Sequence, residues 1–453
     1  MFRFRLILWA CLVLSQKAIG QTKADSLFIR KIFDAALTQS RCYEDLRYLC
    51  KSIGPRLSGS PGAAQAVDFM EAVMKRENFD KVFRQETMVP HWVRGSVCSV
   101  KELESGRNIK ACALGGSEGG AAEAEVLEVQ RVEQLDSLGE KAIKGKIVYF
   151  SRPMEPRHIH TFEAYGGCVD QRWAGPAKAS KYGALATLVR SMNLREDGFP
   201  HTGSMTYDSL YPKIPALAIS TEDATWLSSQ LARRKKVVIR VEDNSRTLPD
   251  TLSHNVVGEL QGKEKANEFI VVGGHLDAWD NGEGAHDDGA GCVHSIEALR
   301  ILKNLGYTPR RSLRAVMFMN EENGLRGGKR YAFLADSLKE KHVYAIESDR
   351  GGFTPRGFYV DHNNPNEVDK IKRFKSLLEP YGLHDFKKGG GGADINPLKP
   401  QGTVCIGFVP DSQRYFDHHH AEYDTFEHIN KRELELGAAS IAALIYLLDQ
   451  YTP

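Results

Sequence analysis

Apolar positions recur at three- and four-residue spacing from Asp25 to about Glu86, through Leu27, Ile32 and Ala35-Ala36 and again from Ala66 to Met74. That spacing predicts helices. Between them, Gly54-Pro55-Arg56-Leu57-Ser58-Gly59-Ser60-Pro61-Gly62 reads as a loop by its glycine and proline content. From about 111 to 250 the apolar runs shorten and turns separate them. Strands are predicted at 124–129, 146–150, 186–189, 216–219 and 236–241, with helices at 176–181 and 222–232. This is the texture of a small α/β insert. From Asn255 onward strand, loop and helix alternate, with strands at 268–273, 312–319, 342–346 and 403–408 and helices at 290–302, 327–338, 367–378 and 432–451. Such alternation predicts an α/β fold with a mainly parallel central sheet covered by helices on both faces. The expected division is a leader at 1–20, an N-terminal part of the main domain at 21–110, the insert at 111–250 and the rest of the main domain at 251–453.

Arg3 and Arg5 precede the apolar run Leu6 to Leu14, and Ala18-Ile19-Gly20 offers small residues for cleavage. That order is the secretory signal pattern, and the run is well short of the roughly 20 residues that span a bilayer. No later stretch is long and apolar enough to span, Ile441 to Leu448 reading as a core helix. The expected product is therefore exported, periplasmic or extracellular, and free of the membrane once cleaved near Gly20. At 453 residues and 42% hydrophobic, the chain can bury a sizeable core. Its 60 basic and 58 acidic residues give a formal charge of +2, which falls to −1 when Arg3, Arg5 and Lys17 leave with the leader. Binding of nucleic acid through bulk charge is thereby excluded. The run Arg233-Arg234-Lys235-Lys236 ends a predicted helix, where basic residues complement the helix dipole. Seven of the eight cysteines follow the leader, an odd number that cannot all pair; Cys42 and Cys50 are candidates for a bridge. No CxxC pair supports a structural zinc knuckle.

Candidate chemistry lies at the strand ends, where ligands of open α/β sheets collect. His275, Glu321 with Glu322, Asp349 and the His418-His419-His420 cluster each fall at or near the end of a predicted strand, and the loop after the first strand adds Asp287 and Asp288. Taken singly each has a plain reading: a core histidine, a helix N-cap, exposed acids, a turn residue, a solvated loop. Together they put carboxylates and imidazoles at one sheet edge, where they repel and desolvate badly without a cation. The mixed oxygen and nitrogen set suits zinc, with other divalent transition metals also possible. There is no GxSxG elbow for a serine hydrolase, and Gly389 to Gly392 lacks the Lys-Ser/Thr of a phosphate loop.

The strings GGHLDAWDNGEGAHDDGAG at 273–291, NEENGLRGG at 320–328, ESDRGG at 347–352, GGADINPL at 391–398 and HHAEYDT at 419–425 resemble those of the secreted zinc exopeptidases of the aminopeptidase and glutamate carboxypeptidase type. GPRLSGSPG at 54–62 resembles the carboxypeptidase Q branch in particular, and the insert resembles the protease-associated domain its members carry. The resemblance implies two zinc ions per chain, one bound by His275 and Asp349, the other by Glu322 and His420, with Asp287 bridging. It implies Glu321 as general base acting on a metal-bridged water, and Asp277 as a carboxylate that holds the free imidazole nitrogen of His275. Asp424, four residues after His420, selects that histidine within the triplet. The implied partners are short peptide substrates and a second copy of the chain in a homodimer. His286, Cys292 and Arg350 stand beside the site without an implied role; Arg350 is a candidate for a peptide's terminal carboxylate or for the surface.

Three functions follow in order of fit. The first is a di-zinc exopeptidase or dipeptidase, the second a single-zinc enzyme like the glutaminyl cyclases, the third a catalytically silent, receptor-like binding protein. The full five-ligand set favours the first.

Overall fold

The computed structural model of the protein describes residues 23–234 and 236–451, so the expected leader lies outside the described residues. Along Lys265–His275, Phe269, Ile270, Val271 and Val272 are all buried. Successive strand side chains point to opposite faces. Ile270 and Val272 pack with Ile296 and Leu299 of the helix Ala290–Asn304 and with Ile441 and Leu444 of Lys431–Tyr451. Phe269 and Val271 pack on the other face with Tyr331 and Ala335 of Arg326–Ser337. A continuous apolar strand with helices over both faces is what a buried parallel sheet requires.

That strand lies inside an eight-stranded sheet. Its spatial order is Lys81–Val93, Arg246–Leu260, Arg311–Phe318, Lys265–His275, Lys341–Glu347, Val404–Pro410, Pro355–Asp361, Asp385–Lys388. The four strands Arg311–Phe318, Lys265–His275, Lys341–Glu347 and Val404–Pro410 are mutually parallel. Antiparallel pairs join the flanking strands Arg246–Leu260 and Pro355–Asp361 to this core. The predicted α/β class with a mainly parallel centre is therefore the observed one, with antiparallel additions at both sides.

Two parts of the pattern read differently in the fold. The N-terminal helices end at Arg76, and 81–86 opens the strand Lys81–Val93 instead of continuing a helix. This strand is at the sheet edge, and its first half is largely exposed, so it lacks the buried alternation that marks a strand. Pro355–Asp361 and Asp385–Lys388 are short strands, the first with only the three-residue apolar run Phe358-Tyr359-Val360 and the second with none to announce it.

The chain leaves this sheet after Val93 and returns at Arg246, and the two strands at the crossing pair antiparallel. Between them lies a second eight-stranded sheet, ordered Asn108–Ile109, Cys98–Glu102, Val238–Asp243, Gly120–Val129, Ile147–Phe150, Ala186–Arg190, Ala216–Ile219, Ala111–Ala113. The five strands predicted for 111–250 all belong to it, and Cys98–Glu102 and Asn108–Ile109 extend it upstream. Two apolar clusters of its own cover it. Arg234, in the basic run, pairs with Glu102 at the end of Cys98–Glu102 and with Glu104 in the turn that follows. Cys42 and Cys50 are buried free thiols.

Candidate metal centre

All four parallel strands turn their carboxyl ends to the same edge. His275 is the last residue of its strand, Glu321 and Glu322 follow Arg311–Phe318, and Asp349 follows Lys341–Glu347. His420 lies just beyond the helix Tyr415–His418, which follows Val404–Pro410. Asp287 comes from the loop that enters the helix Ala290–Asn304, through a cis Asp287–Asp288 peptide. These side chains meet. His275 Nε2 is 3.2 Å from Asp287 Oδ1 and 3.4 Å from Asp349 Oδ1. His420 Nε2 is 3.4 Å from Asp287 Oδ2 and 3.1 Å from Glu322 Oε2. Asp287 thus belongs to two groups, one oxygen facing each. His419 stacks on His420 with ring centroids 3.5 Å apart and comes within 3.9 Å of Asp287 Oδ2, so it too stands close enough to join Asp287 and His420 as a donor.

The protein alone does not balance this cluster. Asp287 Oδ2 and Glu322 Oε1 are buried with no hydrogen-bond partner among the described residues. Burial, reinforced by Asp287, raises Glu322 well above the carboxylate range. Burial raises Glu321 to about 8 against the pull of His275, with Asp349 adding to the rise. His275 goes the other way: burial opposes its charge, yet Asp349 and Asp287 hold its pKa well above that of a free imidazole. Orphaned carboxylate oxygens facing two imidazoles in a desolvated site are the donor set of a divalent cation centre.

Outer contacts hold each donor in place. The Nδ1 of His275 faces the backbone carbonyl of Asp277 at 2.9 Å, and that of His420 faces the Thr202 carbonyl at 3.2 Å, which leaves both Nε2 atoms for the centre. The Asp277 carboxylate stands 4.0 Å from His275 Nδ1. It also accepts from the backbone N–H groups of Asn320, Glu321 and Glu322 and so sets the turn that carries both glutamates. Asp288 accepts from the N–H of His275 and of Gly291. Asp424 accepts from the N–H of His286 and Asp287, which gives the HxxxD spacing its physical purpose. The 54–62 string is a brace: buried Arg56 donates to the carbonyls of Leu276, Glu283 and Gly284, and Ser58 bridges Asn320 and Asn323.

A cavity of about 610 Å³ opens over the centre and is lined by His275, Asp287, Glu321 and Glu322. The stretch that carries the second sheet supplies part of its wall, including Tyr165, Arg172 and Met205. The sequence leads one to expect the insert to shape or cap the cleft, but it does not single out these wall residues. Thr202 and His201 also clasp the backbone of His419 and His420, and Gly115 lies so close to Trp279 that a Cβ there would fall 1.8 Å from the indole. Glycine spacing is the sole sequence trace of that contact. Of the bystanders, His286 stacks on Phe353 with centroids 4.1 Å apart, and the Cys292 thiol donates to the His275 carbonyl. Both are packed.

A histidine–carboxylate centre of this kind, at the carboxyl edge of a parallel-centred α/β sheet, defines a metal-dependent hydrolase. Residues 255–445 match the family model described as peptidase family M28. The chain is 34% identical over 413 residues to carboxypeptidase Q of Bos taurus, covering 90% of this chain and 85% of that protein. It is likewise 34% identical over 412 residues to carboxypeptidase Q of Homo sapiens, covering 90% and 85%. The crystal structure of a peptidase M28 precursor from Shewanella amazonensis SB2B superposes with a TM-score of 0.90 at 30% identity, covering 95% of this chain and 98% of that one. A zinc aminopeptidase from Bacillus subtilis shares the fold, with a TM-score of 0.65 at 22% identity over 91% and 95% of the two chains. The chain belongs to peptidase family M28 and is a metallopeptidase.

Proposed function

We propose that the chain is an exported di-zinc exopeptidase that hydrolyses a terminal peptide bond of dipeptides or other short peptides, with Glu321 as general base. In this reading His275 and Asp349 hold one zinc, Glu322 and His420 hold the other, and Asp287 serves both. The observation that carries it is the double membership of Asp287, with Oδ1 3.2 Å from His275 and Oδ2 3.4 Å from His420. Identity to carboxypeptidase Q supports exopeptidase action on short peptides. The likeness to a zinc aminopeptidase, together with the nitrogen and oxygen donors, supports zinc.

When bound, such a pair of cations supplies Lewis acidity to the scissile carbonyl and acidifies the attacking water. Glu321 lines the cavity, and its backbone N–H is fixed by Asp277, so its carboxylate is free to take the water's proton and pass it to the leaving amine nitrogen. The Asp277 carboxylate acts through that turn as a positioning group. The second sheet's wall limits the cavity to a volume suited to a small ligand. We read that sheet as a protease-associated domain that shapes the cleft and supplies no metal ligand. Export by cleavage near Gly20 and a homodimer complete the proposal; among the described residues no helix is long and apolar enough to cross a membrane.

The deciding experiment is a screen of dipeptides and aminoacyl reporters with zinc-loaded and chelator-treated protein, read beside metal content. Two zinc ions per chain with peptide hydrolysis is the expected result. One zinc with cyclisation of N-terminal glutamine supports the cyclase-like alternative, and no metal with no turnover supports a binding protein.

A further inference from the structure

We propose that a second cavity, which shares Phe162 with the one over the metal centre, is a carboxylate-binding subsite for peptide substrates, with Arg350 as its recognition group. The inference rests on the exopeptidase reading above. This cavity has a volume of about 400 Å³ and is lined by Phe162, Arg350, Arg356, Tyr359, Lys387 and Ser412, among others. Arg350 differs from Arg356 and Lys387 in one respect, which it shares with the cavity's Lys388. Arg356 pairs with Asp411 at 2.9 Å and Lys387 with Asp385 at 3.3 Å. Arg350 has no carboxylate within 4 Å among the described residues. Its guanidinium instead lies between two rings, 5.0 Å from the Phe162 centroid and 5.3 Å from that of Tyr359, and donates one hydrogen bond, to the Gly390 carbonyl at 3.2 Å.

A guanidinium carries five N–H donors in a rigid fork shaped for a carboxylate. Held by two aromatic faces and by one backbone acceptor, this one keeps donors for a ligand and loses little freedom on binding it. The glycine run 389–392, which is no phosphate loop, has a purpose here. Gly390 adopts φ +62°, and a Cβ on it would stand 2.6 Å from Arg350 Nη2. Glycine therefore keeps the guanidinium in its place. Arg350 also directly follows Asp349 in the chain. A carboxylate bound there would belong to a substrate that also reaches the metal centre past the shared Phe162. Its two sources are an acidic side chain and the free carboxyl terminus.

The test uses the zinc-loaded full chain and peptide pairs that differ in one group, Glu against Gln in the side chain and carboxylate against amide at the terminus. The wild type should favour the charged member of one pair in kcat/KM, and the responding pair identifies the source. Arg350→Gln should lower the ratio of kcat/KM for the charged peptide over the neutral one by about tenfold to a hundredfold. Arg350→Lys should restore part of it, and Gly390→Ala should mimic the loss. A wild type with no preference, or an Arg350→Gln variant that keeps it, overturns the proposal. Calorimetric titration with N-acetylglutamate and its diamide reads the subsite without turnover. Weaker binding of the acid alone to Arg350→Gln supports the subsite even if no peptide is cleaved, and equal binding to both proteins overturns it.

Discussion

Stripping the metal at a series of pH values exposes the electrostatic debt of the centre. Burial raises Glu321 to about 8, with Asp349 reinforcing it, and burial raises Glu347 to about 8, again with Asp349. A carboxyl whose folded pKa exceeds its unfolded value holds its proton more tightly when folded. Its stabilising effect is complete below the unfolded pKa, near 4.5, and is lost as pH rises toward 8. Buried histidines act oppositely at lower pH: burial depresses His201 and His294 to about 4, and that effect is exhausted above about 6.5. Between pH 6.5 and 8 the carboxyls therefore dominate. At about 1.36 kcal/mol per pH unit each, with the slope halved by pH 8, Glu321 and Glu347 together cost roughly 3 kcal/mol across that window. This is a large fraction of a typical stability of about 5–15 kcal/mol. Cations beside these carboxylates favour their charged forms and remove the penalty. Thermal melts of chelator-treated protein should thus fall by several degrees from pH 6.5 to 8, while the zinc-loaded protein stays level, and zinc added at pH 7 in weak buffer should release protons. Parallel curves with and without zinc, or a chelated Tm that rises over this range, would refute the account.

Glu321→Gln should keep its zinc and lose turnover by about a hundredfold to ten-thousandfold; metal analysis beside kcat reads both, and near-wild-type rates would remove the residue from the base role. Asp287→Ala should lose both ions, whereas Glu322→Ala should retain one, a contrast visible in zinc per chain. Arg56→Leu should lower the unfolding free energy by about 3 kcal/mol or more, because it removes three hydrogen bonds donated by a buried cation, to the carbonyls of Leu276, Glu283 and Gly284; an unchanged denaturation midpoint would contradict the bracing role. Gly115→Ala should lower kcat/KM by driving a Cβ into Trp279, whose ring meets the edge of His420; normal kinetics would mean that the second sheet's seating is irrelevant to the centre.

Much of the centre is written locally. His275, Glu321 and Asp349 each stand at or just after the end of an apolar strand, and strand ends are legible because buried strands are continuous runs of apolar residues. The Asp287-Asp288 pair and the HxxxD spacing are legible for a similar reason, since a loop that enters a helix must supply backbone acceptors nearby. Other features are illegible because backbone atoms make them. The carbonyls of Asp277 and Thr202 that orient the two histidines carry no residue code. The edge strand Lys81–Val93 was hidden by its exposure, and the roles of Arg172 and Arg350 depend on neighbours far away in sequence.

The sequence by itself determined the class of fold and put candidate donors at the ends of its strands, because hydrophobic period and residue chemistry are local properties. Only the tertiary structure decided that Asp287 faces both histidines, which residues between Val93 and Arg246 wall the cleft, and that Arg350 has no carboxylate within 4 Å among the described residues. These depend on which loops pack together. Packing sums many weak contacts over the whole chain, and no short stretch contains that sum.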